Sequence, residues 1–209
     1  MQNKGNELIT LAQRIRAMSQ TALTYSSNEY EIERCKELIE ISERITSIVS
    51  GISEEEISVC FSPIKEYVTP KVDIRAVIFN EKDEILLVKE KADGRWALPG
   101  GWSDVGFTPT EIVVKEAKEE TGFDVRVIRM LAILDKRCYN HPTSTFYVYK
   151  LCFLCEITGG DDALTFDILD RGFFALDNLP PLSLDRIMPE QIFLLDKLRR
   201  SPDSKVYCD

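Results

Sequence analysis

Apolar residues recur every three or four positions through the first fifty residues, with polar residues between them. One series begins at Leu8 and a second at Ile32. This spacing predicts two amphipathic helices within residues 7–50, with Ser27 or Asn28 as the candidate cap of the second helix. Two helices bury little apolar surface by themselves, so the hairpin must pack on the rest of the chain or on a second copy.

The period changes after a proline-containing stretch at residues 61–71, which we interpret as a linker. The predicted strands are residues 72–79, 84–88, 123–134, 145–157 and 172–176, and the helices predicted beyond the hairpin are 54–59, 108–121 and 189–198. Strands with few helices between them indicate an α+β fold, a mixed sheet with helices on its faces. The predicted division is a helical domain at residues 1–60, the linker, and an α+β domain at residues 72–209.

Acidic residues outnumber basic ones, 35 against 26, for a formal net charge of −9. Such a surface repels long polyphosphate backbones, so extended nucleic acid is a disfavoured partner. A small anionic substrate is compatible with this charge where cations gather in a pocket, and divalent metal ions are the natural supplement. The chain has neither the apolar core of a signal peptide nor an apolar run of membrane length, so we expect a cytoplasmic location and no membrane partner.

Six cysteines are present, and only Cys152 and Cys155 form a C-x-x-C pair. The pair lies in an apolar run that predicts a buried strand, where residues three apart face opposite sides. Two such thiols cannot easily share one zinc ion. We interpret them as buried structural thiols, with a redox or metal-binding pair as the alternative.

The segment at residues 98–123 carries the candidate chemistry. Thr108 at the N-cap, Pro109 at the first helical position, Glu111 three residues after the cap and Gly122 mark both ends of one helix. Like charges on one helix face repel, so clustering them there costs stability. Offsets of three and four place the following carboxylates on such a face: Glu116, Glu119 and Glu120.

This acidic face has two interpretations. One is a solvated surface, and the other is a binding site for a hard divalent cation, which takes oxygen ligands. The preceding loop, Pro99-Gly100-Gly101, favours the cation site. Its bare backbone allows a carbonyl to coordinate a metal and a phosphate to approach closely.

The segment resembles the Nudix box, the superfamily pattern G-x5-E-x7-R-E-U-x-E-E-x-G-U, in which U is apolar. The matching positions are Gly101, Glu116, Ala117, Glu119, Glu120, Gly122 and Phe123. Phe107 stands at the first Glu position, and Lys115 replaces Arg, which keeps the charge and loses the bidentate fork. Further similarity at residues 95–101 and 173–180 extends the resemblance over about residues 72–198.

The Nudix resemblance implies an α/β/α sandwich with a mixed sheet. It also implies hydrolysis of a diphosphate bond with Mg²⁺, or with Mn²⁺ as the alternative. The N-terminal helices and the segments PKVDIRA and GGWSDVG resemble a narrower branch, which acts on nucleoside diphosphates linked to a group X. CDP-choline and ADP-ribose pyrophosphatases are the activities nearest this pattern, and a nucleoside monophosphate and phosphorylated X are the expected products. We expect a homodimer, with the helical domain forming the interface or covering the substrate.

By the same resemblance, carboxylate and carbonyl oxygens are the expected metal ligands. They are Gly100, Glu116, Glu119, Glu120 and, from the loop before the closing strand, Asp167, with Asp170 as second choice. An ordinary loop aspartate is the alternative for Asp167. The three glutamates are also the expected catalytic residues, and one of them, with Glu116 as the candidate, orients or deprotonates the attacking water.

Five further residues are expected to contact the substrate: Arg75, Lys89, Trp102, Lys136 and His141. Arg75 resembles a phosphate-contacting arginine of the narrower branch, and a solvent-facing strand residue is the alternative. Lys136 and His141 flank a loop long enough to reach X, although a lone loop histidine is more often exposed. Trp102 is a candidate for stacking on a base.

Other functions are open at this point. A nucleotide-sensing domain without catalysis would lack the helix glutamates, which are present. A hydrolase acting on RNA ends or in RNA processing would need a basic track leading to the pocket. The helical hairpin could also recruit a protein partner, which is compatible with hydrolysis.

Overall fold

A computed structural model describes residues 2–59, 68–104, 106–161, 167–201, 203 and 205–209. The chain forms two compact units, one of residues 1–70 with 142–147 and the other of residues 71–141 with 148–209. Most of the predicted linker, residues 61–67, lies outside the described residues. None of the described helices is both long enough and apolar enough to cross a membrane.

The first unit contains three helices, α1 (Gln2–Tyr25), α2 (Glu29–Ser50) and α3 (Glu54–Val59). Asn28 caps α2, as one of the two predicted candidates. Its side-chain oxygen accepts hydrogen bonds from the backbone N–H groups two and three residues later. The helix ends at Gly51, whose φ of 74° is the left-handed conformation that glycine adopts readily.

Residues 142–147 also belong to the first unit, although the sequence pattern places them in the α+β domain. The side-chain amide of Gln13 donates to the Ser144 carbonyl oxygen at 2.9 Å, and Thr143 Oγ1 donates to Asn6 Oδ1 at 3.4 Å. These bonds tie a loop between two strands to the first helix. Partners more than a hundred residues apart leave no local pattern, so the sequence does not predict this arrangement.

Buried positions of the two long helices carry mostly small and polar side chains. Examples are Ala12 and Ser19 of α1 and Ser42 of α2. The Arg16 guanidinium, also buried, forms an ion pair with Glu43. Larger apolar side chains of these helices are instead exposed: Leu8, Leu11, Met18, Tyr25, Tyr30, Leu38, Ile41 and Ile48.

The second unit contains two sheets and two helices. In chain order its elements are β1 (Lys71–Ile78), β2 (Ile85–Glu90), β3 (Trp96–Ala97), α4 (Pro109–Thr121), β4 (Phe123–Asp135), β5 (Val148–Gly160), β6 (Ile168–Phe174), α5 (Pro189–Arg199) and β7 (Tyr207–Cys208). The larger sheet has the order β1-β5-β4-β7, and the smaller has the order β3-β2-β6. β1 is parallel to β5, β4 is antiparallel to β5, and β7 is parallel to β4, so the larger sheet is mixed, as predicted.

Alternate residues of β1 enter two separate apolar clusters. Ala76 and Ile78 join the cluster that contains Ile112 of α4, and Val77 joins the cluster that contains Ile192 of α5. Because successive strand residues face opposite sides of a sheet, α4 and α5 cover opposite faces. The predicted α+β fold with a mixed sheet is confirmed.

Three short elements were not predicted from hydrophobic periodicity, although the family resemblance places an entry strand and loop at residues 95–101. β3 and β7 have two residues each, and a 3₁₀ turn spans Lys136–Cys138. Elements of this length have too few residues to show a period. β6 begins at Ile168, before the predicted start at residue 172.

Both thiols of the C-x-x-C pair are buried in β5. Cys152 is inaccessible and Cys155 nearly so, and burial raises the pKa of each thiol to about 12. A thiol with such a pKa carries almost no thiolate at neutral pH, so it is a poor nucleophile and metal ligand. The geometry supports the structural interpretation of this pair.

Candidate active site

The glycine loop lies along one edge of β1. The Ile74 N–H donates to the Gly101 carbonyl and the Ala76 N–H to the Pro99 carbonyl, each at 2.8 Å. Gly100 has a φ of 140°, and a Cβ atom there would lie 2.0 Å from the Ile74 carbonyl oxygen. Only glycine fits so close to another backbone. Within the described part of the chain, no hydrogen-bond donor contacts the carbonyl oxygen of the buried Gly100.

Helix α4 begins and ends as the sequence predicts. The Thr108 side chain accepts from the Glu111 N–H, and the Glu111 carboxylate accepts from the Thr108 N–H at 2.8 Å, which completes the capping box. Gly122 ends the helix with a φ of 71°. These local bonds fix the two ends of the helix, whereas the packing of Ile112 and Ala117 in the core sets which glutamates face the loop.

Glu120 is the most buried of the three helix glutamates, at 8% exposure. Its Oε2 atom accepts a hydrogen bond from the Gly100 N–H at 2.8 Å. Burial raises the pKa of Glu120 to about 8, although the charge of Arg75 and the Gly100 bond lower it in part; Glu90 and Glu116 raise it further. A desolvated carboxylate therefore lies directly against the glycine loop.

Glu116 lies one turn earlier and contacts the same loop. A Cβ atom on Gly101 would lie 3.0 Å from Glu116 Oε2, so this glycine leaves room for the carboxylate. Burial also raises the pKa of Glu116 above its ordinary value. Glu119 differs, because its side chain is 48% exposed and lies 3.9 Å from Lys115 Nζ.

The two positions that depart from the motif lie beside each other. Lys115 Nζ is 5.9 Å from the centre of the Phe107 ring, within the range of a cation–π contact. The same ammonium lies 3.0 Å from Asp104 and 3.9 Å from Glu116. Lys115 therefore brings positive charge next to the helix carboxylates.

The donor set of this site consists of oxygen atoms, as a hard divalent cation requires. Two desolvated carboxylates and one carbonyl without a donor fit such an ion. Among the described residues, however, no three Asp, Glu, His or Cys side chains converge into a ready-made ligand group. Asp167 is exposed, and its backbone carbonyl accepts from the Lys91 N–H at 2.9 Å. The ligand roles of Glu119 and Asp167 stay predictions.

Arg75 is buried and holds the end of the glycine loop. Its Nη1 atom donates to the Leu98 carbonyl at 2.8 Å, and its Nε atom donates to Asp73 at 2.9 Å. Lys150, which lies opposite Asp73 in the β1–β5 register, forms a second ion pair with this carboxylate. Burial raises the pKa of Asp73, but the two cations outweigh burial and lower it. The guanidinium is also close enough for its charge to act on Glu120.

Three charged residues near this site were not identified from the sequence: Asp73, Lys150 and Glu90. Glu90 ends β2 at 9% exposure, and its Oε1 atom lies 3.1 Å from Arg186 Nε. Burial raises the pKa of Glu90, and the charge of Asp167 is among the smaller causes that act in the same direction. The only signal in the sequence was a charged residue inside or at the end of an apolar strand, which is costly to bury without a partner.

The other four predicted substrate residues do not contact the helix glutamates in any hydrogen bond or ion pair described above. Lys89 pairs with Trp96 and Asp170 in the smaller sheet, and Trp102 is half-exposed with Lys71 Nζ 5.4 Å from its ring centre. Lys136 and His141 are buried near Lys150. The structure thus brings together Gly100, Glu116, Glu120 and Arg75, with Lys136 and His141 in an adjoining polar group.

These features define an α+β domain with a buried acidic site beside a glycine loop, in a chain that also has a helical unit. The chain belongs to the Nudix hydrolase family: residues 69–194 match the NUDIX domain, and residues 6–61 match a domain described as the UDP-X-like, N-terminal oligomerisation domain.

Relatives resemble both units of the chain. YjhB of Bacillus subtilis strain 168, provisionally named an ADP-ribose pyrophosphatase, is 40% identical over 198 residues, 95% of each chain. The structure of an ADP-ribose pyrophosphatase from Streptococcus suis 89-1591 is 46% identical, with a TM-score of 0.61, covering 68% of this chain and 100% of that one. The structure of a UDP-X diphosphatase is 34% identical, with a TM-score of 0.64, covering 98% of this chain and 99% of that one.

Proposed function

We propose that this protein hydrolyses the diphosphate bond of a nucleoside diphosphate linked to X, with Mg²⁺ as its cofactor and Mn²⁺ as a substitute. The products are a nucleoside monophosphate and phosphorylated X. The observation that carries this proposal is the buried Glu120 carboxylate, hydrogen-bonded to the Gly100 N–H beside Glu116. Burying acids costs stability, and strongly perturbed acids collect at functional sites, so this pair supports catalysis over a plain surface.

The metal ligands in this proposal are Glu116, Glu120 and the Gly100 carbonyl, with Glu119 and Asp167 completing the set. When bound, the ion neutralises phosphate charge and acidifies a water molecule. Asp167 is exposed, and in this proposal its side chain turns toward the others when the ion binds. This movement agrees with the absence of a converged ligand group among the described residues.

The remaining steps fall to the chain's own side chains. As the alternative to metal binding, Glu116, whose pKa is raised by burial, orients the attacking water and accepts its proton. Arg75 holds the Leu98 carbonyl and thereby positions the glycine loop against Glu120. Its buried positive charge also favours a substrate phosphate at this edge of β1.

The relatives support a linked nucleoside diphosphate as the substrate class. Two of them carry the name of ADP-ribose pyrophosphatases, one provisionally, and a third is a UDP-X diphosphatase. The sequence resemblance adds CDP-choline to the candidates. The excess of acidic residues disfavours a long RNA substrate. The cytoplasmic location stays a prediction.

We further propose that the protein is a homodimer joined through its helical unit. Leu11, Met18 and Tyr25 recur at intervals of seven on α1, and all three are exposed. An apolar recess of about 390 Å³ lies beside Met18 and Tyr25. Large apolar side chains on one exposed face are typical of an interface. The matched N-terminal family model, which is described as an oligomerisation domain, supports the same surface.

A substrate panel tests the proposed activity. Purified protein is incubated with ADP-ribose, UDP-glucose, CDP-choline and nucleoside triphosphates, each with Mg²⁺, with Mn²⁺ or with EDTA. We expect a nucleoside monophosphate from at least one linked diphosphate with metal and none with EDTA. Glu120→Gln should lower kcat by about 100-fold or more with the fold retained, whereas Glu156→Gln, at a half-exposed residue of β5, should leave kcat unchanged.

Activity confined to nucleoside triphosphates would overturn the substrate class. Unchanged turnover in Glu120→Gln would show that the site is elsewhere. A nucleotide that binds to the wild-type protein without being cut, under every metal condition, would favour a sensing domain.

A further inference from the structure

A patch of charged side chains interrupts the apolar inner surface of the larger sheet. Lys150 lies between Val148 and Cys152 on one face of β5, because residues two apart on a strand point to the same side, and both of these neighbours are buried and apolar. Its ammonium pairs with Asp73, which in turn binds Arg75. A buried lysine at 2% exposure is costly unless it is paired, and Asp73 engages one of its three N–H donors.

His141 lies in the same patch and has a defined tautomer. Its Nδ1 atom is 2.6 Å from the Leu184 carbonyl oxygen, which can only accept a hydrogen bond. Burial lowers the pKa of His141 to about 4, and the charges of Lys150 and Lys136 lower it further, so the ring is neutral. A neutral ring that donates from Nδ1 carries an unprotonated Nε2, which is an acceptor.

This acceptor is buried and unsatisfied. His141 is 3% exposed, and no donor contacts Nε2 in the part of the chain that the structure describes. Buried polar atoms almost always have a hydrogen-bond partner, so an acceptor without one calls for a partner of its own.

The neighbouring cations have donors to spare. Lys136 Nζ binds Asp185 at 2.6 Å, and Lys150 Nζ binds Asp73. An ammonium group has three N–H donors, and each of these ion pairs uses one. Lys136, Lys150 and Arg75 form direct ion pairs with only two carboxylates, Asp73 and Asp185, although the charges of Glu90 and Glu120 also act on Arg75.

We propose that His141, Lys136 and Lys150 form a substrate-recognition subsite for a polar group with one N–H or O–H donor beside oxygen acceptors. Nε2 of His141 accepts from the donor, and the two ammonium groups donate to the oxygens. The subsite is continuous with the candidate active site, because Asp73 binds both Lys150 and Arg75, and Arg75 acts on Glu120.

Two parts of a linked nucleoside diphosphate have this chemistry, and the inference therefore rests on the proposed function. One is the imide edge of uracil, an N–H between two carbonyl oxygens. The other is a pair of neighbouring sugar hydroxyls, either in the nucleoside ribose or in X. Adenine has no such edge, because its ring nitrogens are acceptors and its amino group has no carbonyl beside it.

A matched pair of variants tests the role of Nε2. In His141→Asn the side-chain amide can still donate to the Leu184 carbonyl, while the Nε2 acceptor is lost. In His141→Gln an acceptor is kept near the Nε2 position. We expect His141→Asn to raise KM by about tenfold or more with a smaller change in kcat, and His141→Gln to recover part of the loss.

Direct binding separates the two sources of the donor. UMP, N3-methyl-UMP and glucose 1-phosphate are titrated calorimetrically into the full-length protein in EDTA, so that no hydrolysis contributes. If the base is recognised, UMP binds more tightly than N3-methyl-UMP, and only wild type shows the difference. If the sugar of X is recognised, His141→Asn weakens glucose 1-phosphate and leaves UMP unchanged; if the nucleoside ribose is recognised, it weakens UMP and N3-methyl-UMP equally.

The inference is overturned if His141→Asn, folded as judged by circular dichroism, matches wild type in KM and in every titration. It is also overturned if none of the three ligands binds the wild-type protein. Failure of the proposed function looks different, because wild type would then cleave no linked diphosphate at all.

Discussion

Replacing Glu120 by glutamine tests the burial of this carboxylate directly. Glutamine has nearly the same shape and can still accept the Gly100 hydrogen bond, but it cannot ionise. The ordinary pKa of this carboxyl is 4.5, and burial raises it to about 8 in the folded protein. Between these values the folded state holds a proton that the unfolded state has released, so rising pH favours unfolding.

The pKa shift sets the size of the effect. Each unit of difference corresponds to about 1.4 kcal/mol, so Glu120 should lower the free energy of unfolding by about 3 kcal/mol at pH 7 and by about 5 kcal/mol above pH 8. The free energy of unfolding begins to fall above about pH 4.5, and this fall levels off above about pH 8. Glu120→Gln should therefore be more stable than wild type without metal, and increasingly so as pH rises.

Urea unfolding in EDTA, from about pH 5 to about pH 9, measures this difference. Trp96 and Trp102, the only tryptophans of the chain, both lie in the unit that contains Glu120, so their fluorescence reports its unfolding. Subtracting wild type from variant removes the titration of other groups. Glu156 is a half-exposed carboxylate paired with Arg126, and Glu156→Gln should change stability by less than about 1 kcal/mol at every pH.

A stability difference that stays constant between pH 5 and pH 8 would refute this reasoning, because it would mean that Glu120 ionises as freely as an exposed glutamate. A lower stability of the variant throughout that range would do the same.

Three further substitutions test other features of the structure. Gly100→Ala should destabilise the protein by more than about 3 kcal/mol, because its Cβ would meet the Ile74 carbonyl. Gly94→Ala, where the Cβ has open space, should cost about 1 kcal/mol, and urea unfolding compares the two variants. Asp73→Asn leaves two buried cations without their carboxylate and should cost about 3–5 kcal/mol in the same measurement. Met18→Glu should halve the mass measured by light scattering while activity assays and circular dichroism show a folded protein; an unchanged mass would place the interface elsewhere.

Local patterns predicted the parts of the site that local physics controls. The ends of α4 depend on a capping box and a left-handed glycine within a few residues, so Thr108, Glu111 and Gly122 could be assigned from spacing alone. The position of the glutamates on one helical face follows from the same periodicity. The glycines before this helix were assigned from access for a metal and a phosphate, and the structure adds the close approach of Gly100 to the backbone of β1.

The different burial of the three helix glutamates could be seen only in the folded structure. Their spacing in the sequence predicts the same environment for Glu116, Glu119 and Glu120. In the structure, however, Glu120 is buried against Gly100 and Glu119 is half-exposed. Burial depends on where the loop and β1 pass the helix, and residues far apart in sequence decide that. The difference in pKa among these acids therefore has no local signature.

By itself, the sequence determined the order and type of the long elements, the ends of α4 and the acidic face beside bare glycine backbone, because each depends on neighbours within a turn or a strand. Tertiary structure alone decided that Asp73 meets Lys150 and that His141 is buried with an unsatisfied acceptor. It also decided that residues 142–147 join the helical unit. These contacts depend on strand register and loop paths, which are set by packing over distances that no local pattern records.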